Sequence, residues 1–312
     1  MIQMRIVAPS GAAEAALRVL DELPQATTVV HVAGVARRPR GDLVLADVPR
    51  EEASVLLDRL RAAGVDRIGS IAIEPISVEL SQAADAAERS AGGAPGDAVV
   101  WEELEAVTSE STELTVTFLA FMLLASLIAA VGILIDSEIL VVGGMVVGPE
   151  FGPLAGLCVA LVQRRPVLAG RSLLALAVAF PCAIAVALGA TAAYRAVGEG
   201  PEDLSQAQLS LSEFLADPNW FSVVVALAAG AAGMLSLTSA KSAALIGVLI
   251  SATTIPAAAN AGVATAYGDW GTVGGSLAQL GINLTLLVLA GTATLAVQRR
   301  AFAQRLRRES PL

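Results

Sequence analysis

The sequence predicts a polytopic α-helical membrane protein of six spans, arranged as two inverted three-helix halves and preceded by a small α+β cytoplasmic domain. Three observations carry this expectation. The 312 residues are 55% hydrophobic and 16% charged, with a mean hydropathy of +0.69, which excludes a disordered chain and argues against a water-soluble enzyme. Six runs after residue 113 are long and apolar enough to cross a bilayer. The net charge of −9 sits in front of them: residues 1–113 hold 10 basic and 19 acidic side chains, against 10 and 10 in the remainder. An acidic chain also offers no extended basic surface for nucleic acid.

The first part, residues 1–78, changes periodicity in a regular order. Ile2 to Ala8 reads as a strand, Gly11 to Leu23 as a helix with Ala12, Ala16, Val19 and Leu20 on one face, and Thr27 to Ala33 as a second strand. The order then repeats: Asp42 to Val48 is a strand, Arg50 to Ala63 a helix closed by Gly64, and Arg67 to Ile73 a last strand. This β-α-β-β-α-β order is that of the ferredoxin-like sandwich. In its central turn Arg37, Arg38 and Arg40 could hold a phosphate or an acidic headgroup, or form a solvated hairpin tip. His31 is expected on a half-buried strand as a satisfied polar side chain. With no basic segment leading into an apolar stretch at the start, this domain is expected to stay in the cytoplasm.

Residues 79–113 form an acidic connection, with nine carboxylates against Arg89. The stretch from Ala91 to Gly96 reads as a hinge. After it, Trp101, Leu104 and Val107 stand at helical spacing, expected either as an amphipathic helix at the membrane surface or as one packed on the soluble domain. The membrane domain, residues 114–297, contains the runs Leu114 to Ile135, Ile139 to Val162, Val167 to Tyr194, Trp220 to Leu237, Ala243 to Ala266 and Leu277 to Val297. Arg164, Arg165 and Arg171 follow the second run, Lys241 the fourth, and Arg299, Arg300, Arg305, Arg307 and Arg308 the sixth, whereas acidic residues dominate the other connections. This bias places both termini in the cytoplasm. The basic tail, 298–312, would rest against anionic lipid or hold the last helix in place. A bacterial or archaeal inner membrane is the expected location.

The second and fifth runs are interrupted. Gly148, Pro149, Glu150, Gly152 and Pro153 fall within one, and Thr253, Thr254, Pro256 and Asn260 at comparable depth in the other. Prolines inside a span cost roughly 3 kcal/mol each. Paired interruptions in the two halves are the sequence pattern of a transporter with inverted repeats, whose site lies where unwound backbone lines a cavity. A carboxylate at Glu150 is expensive within a bilayer, so its expected role is functional, as a coupling group or as an acceptor for freed amides. Gln279 and Asn283 share one face of the sixth helix. Cys158 and Cys182 lie in apolar runs and read as small apolar thiols, and the single His31 leaves no metal site or cofactor to expect. Glycines and alanines along the spans suggest close helix packing and a homo-oligomer.

The run from Ile135 to Pro153, with its acidic-serine turn, Gly143-Gly144-Met145 and Gly148-Pro149-Glu150-Phe151-Gly152-Pro153, resembles the DUF389 family of bacterial and archaeal membrane proteins. Gly144 stands where alanine is usual. The resemblance covers roughly 114–297 and implies the membrane fold, without a substrate. Two functions follow from the residues. One is a transporter or channel for a small polar solute or ion, with a cytoplasmic regulatory domain. The alternative is a membrane-anchored sensor or scaffold whose soluble domain binds a metabolite or protein. An enzyme is not expected, since no HExxH, GxSxG or Walker pattern is present.

Overall fold

A computed structural model describes residues 1–91, 99–198, 210–239 and 253–309, with side chains as far as Ala301. The chain divides into two compact units, Met1–Leu104 with Thr238–Ala240, and Glu105–Leu237 with Lys241–Leu312. In the first, β1 (Ile2–Ala8), β2 (Thr27–Arg37), β3 (Arg40–Val48) and β4 (Ser70–Pro75) form an antiparallel sheet in the order β2-β3-β1-β4. Alternation aims Ile2, Met4 and Ile6 of β1 and Val44, Ala46 and Val48 of β3 at one face. There they meet Ala16 and Leu20 of α1 (Ser10–Asp21) and Leu56 and Leu60 of α2 (Arg50–Ala62).

The last strand begins at Ser70 rather than Arg67. Gly64, at φ +75°, ends α2, and a single turn, α3 (Val65–Ile68), buries Val65 before the chain extends. A helix, α4 (Gln82–Ala91), also occupies part of the acidic connection, burying Ala84, Ala87 and Ala91 on one face. The ammonium of Met1 pairs with Glu88 at 2.9 Å. The first turn of α5 (Trp101–Ser111) is tied to α2: Arg50 donates to Glu103 at 2.9 Å, and Ser54 and Arg61 donate to Glu102, each at 2.9 Å. The first turn thus packs on the N-terminal unit, as one of the two expected placements has it, whereas Glu105–Ser111 belongs to the second unit.

Among the described residues of the second part of the chain, four helices are long and apolar enough to cross a membrane: α6 (Val116–Leu134), α9 (Pro166–Ala196), α11 (Trp220–Thr238) and the apolar part of α13 (Trp270–Glu309). The pair α7 (Glu138–Val147) and α8 (Phe151–Gln163), bent by 51° at their junction, is long and apolar enough together to form either one broken span or a re-entrant loop. These apolar helices make the protein membrane-associated. Of the run Ala243 to Ala266, the described part is α12 (Thr254–Tyr267), and the rest, with Lys241, lies outside the described residues. The last helix begins at Trp270, ahead of the expected Leu277, and continues as helix into the basic tail. From Thr254 to Ala264 every residue of α12 is buried, by α6, α9, α13 and the short α10 (Ser210–Ala216).

The helices recur at a fixed interval. Val116 and Trp220, which open α6 and α11, are 104 residues apart, as are Leu134 and Thr238, which close them. Contacts recur with it. Ser126 of α6 donates to the Ala183 carbonyl of α9 at 2.8 Å, and Gly230 of α11 lies against the Leu287 carbonyl of α13. Cys158 of α8 faces the Val288 carbonyl, and Gly262 of α12 faces that of Ile184. Arg299 donates to the carbonyl of Val162, and Arg195 to that of Ala266, each at the C-terminal end of a helix. α12 runs with α9, since Gly262 meets Ile184 and Tyr267 meets Arg195, but against α13, since Asn260 meets Ser276 and Thr253 meets Asn283.

Candidate functional site: the junction of two helix starts

Between α7 and α8 the helical path stops for only three residues, Gly148, Pro149 and Glu150. The interruption is narrower than the sequence suggests. Pro153 is the third residue of α8 and Pro256 the third of α12, positions whose amides need no partner inside a helix. Both prolines therefore start helices and do not break them. Gly152 likewise lies in the first turn of α8, where a side chain would strike Ser111 of α5. Gly148 has no room for a Cβ, which would collide with Ile255 and the Glu150 carboxylate.

Glu150 is 2% exposed. Its Oε1 accepts a hydrogen bond from Thr254 Oγ1 at 2.8 Å, and its Oε2 is buried without a partner among the described residues. Thr254 opens α12, so the carboxylate lies beside the start of one helix while its own backbone precedes the start of another. Helix N-termini carry partial positive charge, which favours an anion in this position. Glu150 and Thr254 are themselves separated by the 104-residue interval.

Around this pair stand two further polar groups. Asn283 Nδ2 donates to Thr253 Oγ1 at 2.7 Å and its Oδ1 accepts from Gln279 Nε2 at 3.3 Å. Asn260, fully buried, accepts from Ser212 Oγ at 2.8 Å and donates to the Ser212 carbonyl and to Ser276 Oγ, each at 2.9 Å. Gly156 occupies the related position in α8, against the carbonyl of Thr108 and the hydroxyl of Ser172, and these lie 104 residues before Ser212 and Ser276. On the α5 and α6 side, a vestibule of about 400 Å³ reaches the interruption at Gly148 and Pro149, between Glu110, Thr115 and Phe118. Among the described residues no group of histidine, cysteine and carboxylate side chains could hold a metal ion.

The structure thus brings Gly148, Glu150, Thr253, Thr254 and Asn283 together, with Asn260 further along α12. Arg37, Arg38 and Arg40 belong to the other unit, exposed at the end of the β2–β3 hairpin. In the same unit His31 shares Asp42 at 3.0 Å. Asp42 also accepts from the Gly34 amide at 2.9 Å and from Ser10 at 3.1 Å, and the amide bond first, then His31, hold its carboxyl below the usual range.

Residues 145–289 match the DUF389 family, described as a domain of unknown function. The chain carries a DUF389 domain. It begins just before the interruption and ends beyond Asn283, so Glu150, Thr254 and their polar neighbours all belong to it. No curated protein and no solved structure matches the chain. What the sequence reading missed in the DUF389 domain is Asn219 and Ser222, which open α11. The signal was present as Asp217-Pro218-Asn219, a helix-start pattern directly before an apolar run.

Proposed function

We propose that the protein is a membrane transporter or channel that passes a small polar solute or ion between its two interrupted crossings. Its two three-helix halves are inverted repeats, with α5 to α9 in one and α10 to α13 in the other. The observation that carries this reading is the hydrogen bond from Thr254 to Glu150. Residues related by a two-fold axis touch each other only where they lie on it, and this pair shares the 104-residue interval. The axis therefore runs through a buried carboxylate that has one oxygen unpartnered, at the place where two helices start. Discontinuous helices whose starts converge on a site at the repeat interface are how many transporters hold a solute away from lipid.

In this reading Glu150 couples or gates, while Gly148 and Pro149 let the backbone approach it. The positive-inside pattern puts the termini and the N-terminal domain in the cytoplasm, where that domain regulates flux and its arginine hairpin meets anionic groups. The bilayer and further copies of the same chain are the partners, and no chemical conversion is involved. The test is flux into liposomes containing the purified chain, read for protons, Na⁺, K⁺, Cl⁻, urea and acetamide. At least one probe should pass, and Glu150→Gln should lower its flux tenfold or more with the helix content and elution volume kept. Equal flux in that variant overturns the proposal.

A further inference from the structure

A second, more closed cavity of about 90 Å³ lies between α10, α11 and α13 and is reached by Thr253 at the start of α12. Seven of its eleven lining residues, from Phe214 to Thr253, stand 104 residues after residues that line the open vestibule. Even the caps correspond. Thr115 Oγ1 accepts from the Phe118 amide at 3.0 Å in the vestibule, and Asn219 Oδ1 from the Ser222 amide at 3.1 Å in the cavity. In the proposed inverted arrangement, the two spaces face opposite ends of the bundle. A void left by poor packing would have no reason to share its walls with a vestibule.

The polar wall is directional. Gln279 donates to Asn283 and Asn283 to Thr253, which leaves the Thr253 hydroxyl proton free to donate. At the other end of the chain Gln279 Oε1, on a side chain 4% exposed, is buried and accepts nothing from the described residues. One donor and one acceptor thus open on a single space whose other walls include Phe214, Phe221 and Leu287, and its described lining carries no charged side chain. An ion would lose its hydration there against neutral groups, whereas a buried polar site rejects molecules that leave its groups unpaired. A dry cavity of about 150 Å³ holds the six heavy atoms of benzene, so a space near 90 Å³ suits roughly four.

We infer that this cavity is a binding subsite for an uncharged solute of about four heavy atoms bearing both a hydrogen-bond donor and an acceptor, of the size and chemistry of a simple amide. The inference rests on the transport reading, and it names the substrate class for it. The test is saturation-transfer NMR on the detergent-solubilised full chain with acetamide as probe and acetate as its charged counterpart. Acetamide should receive saturation, with an affinity on the order of millimolar as its small size demands, and acetate should not. Gln279→Met, which keeps the volume, and Ala226→Leu, which fills the space, should each reduce the acetamide signal at least fivefold, whereas Gly281→Ala, at a position where an added Cβ meets nothing within 4 Å, should retain it. No acetamide signal, as expected if the cavity holds water only, overturns the inference. So does an equal signal from acetate, or one that both cavity variants leave unchanged. Binding without any flux in liposomes would remove the transport reading and leave the subsite; flux insensitive to Gln279→Met would do the reverse.

Discussion

Replacing Asn260 should loosen α10 from the bundle. The side chain is fully buried and holds three hydrogen bonds, two to Ser212 of α10 and one to Ser276 of α13. In water-soluble cores each orphaned partner would cost roughly 1–3 kcal/mol. Within membrane bundles, polar contacts between helices average only about 0.6 kcal/mol and reach about 1.7. The two serine hydroxyls can turn back to carbonyls of their own helices, but the Ser212 carbonyl has no such escape. Asn260→Ala should therefore cost about 2–4 kcal/mol, a fall of roughly 5–10 °C in the thermal midpoint for a unit of this size. Asn260→Asp should cost more, because it keeps one acceptor, loses both donors and turns a charge toward a carbonyl oxygen. With seven residues, α10 cannot persist as a helix without its contacts, so amide exchange over Ser210–Ala216 should accelerate in step. The assay is differential scanning fluorimetry joined to hydrogen exchange on the purified chain. A midpoint within about 1 °C of the parent and unchanged exchange at α10 would refute the reasoning.

Three further outcomes are expected. At Gly262 a Cβ would stand 2.5 Å from the Ile184 carbonyl oxygen and 2.9 Å from the Leu188 amide nitrogen, both backbone, whereas at Gly281 nothing lies within 4 Å. Gly262→Ala should therefore destabilise by about 1–3 kcal/mol and Gly281→Ala should be neutral or stabilising, read as midpoints in detergent. The folded-state lowering of Asp42 means that its stabilisation is present above the ordinary carboxylate range and lost as pH falls through the lower folded value. Melting of the N-terminal unit, followed by circular dichroism, should weaken toward pH 3, and Asp42→Asn should flatten that acid limb. Finally, Glu150→Gln and Thr254→Val should not add: a double-mutant cycle should give a coupling of about 0.5–2 kcal/mol, and additivity would deny the contact on which the proposed site depends.

Much of this architecture was legible from residue types. Alternation placed β1 and β3 within a few residues, because one buried face fixes strand register, and length with hydropathy located α6, α9 and α11, whereas β2, exposed along its length, runs four residues past the expected Ala33. Pro153 and Pro256 marked the right neighbourhood and were misread. Proline removes a donor, and a helix start has donors to spare, so the same residue ends one helix or begins the next according to what precedes it. At the 104-residue interval the contacts pair Cys158 with Gly262 and Gly156 with Asn260. An amide in one half answers a glycine in the other, since each site needs only that a helix backbone and a serine hydroxyl approach. The 104-residue recurrence lies in contacts to carbonyl oxygens, which any small or hydrogen-bonding side chain can make. No comparison of side chains alone would recover it.

If the halves are inverted repeats, as proposed, the same point explains why the site is asymmetric while its frame is not. A two-fold arrangement of helix starts places about half a unit of positive charge at each of α8 and α12, near one unit together. Two identical carboxylates on the axis would repel each other, and two hydroxyls would leave that charge unanswered. Glu150 opposite Thr254 meets both demands: one carboxylate matches the two helix starts, and the related position supplies a donor to it. The related polar caps follow the same division, with Thr115 in the open vestibule and Asn219 in the closed cavity doing one backbone task with different side chains. Carboxylates at Glu110 and Glu113 line the open space, and an amide, Gln279, faces the closed one. The side chains that face the two spaces thus differ, while close approaches to helix carbonyl oxygens recur at the 104-residue interval through different side chains. In the proposed transporter, a symmetric frame around an asymmetric site would give the path two distinguishable ends.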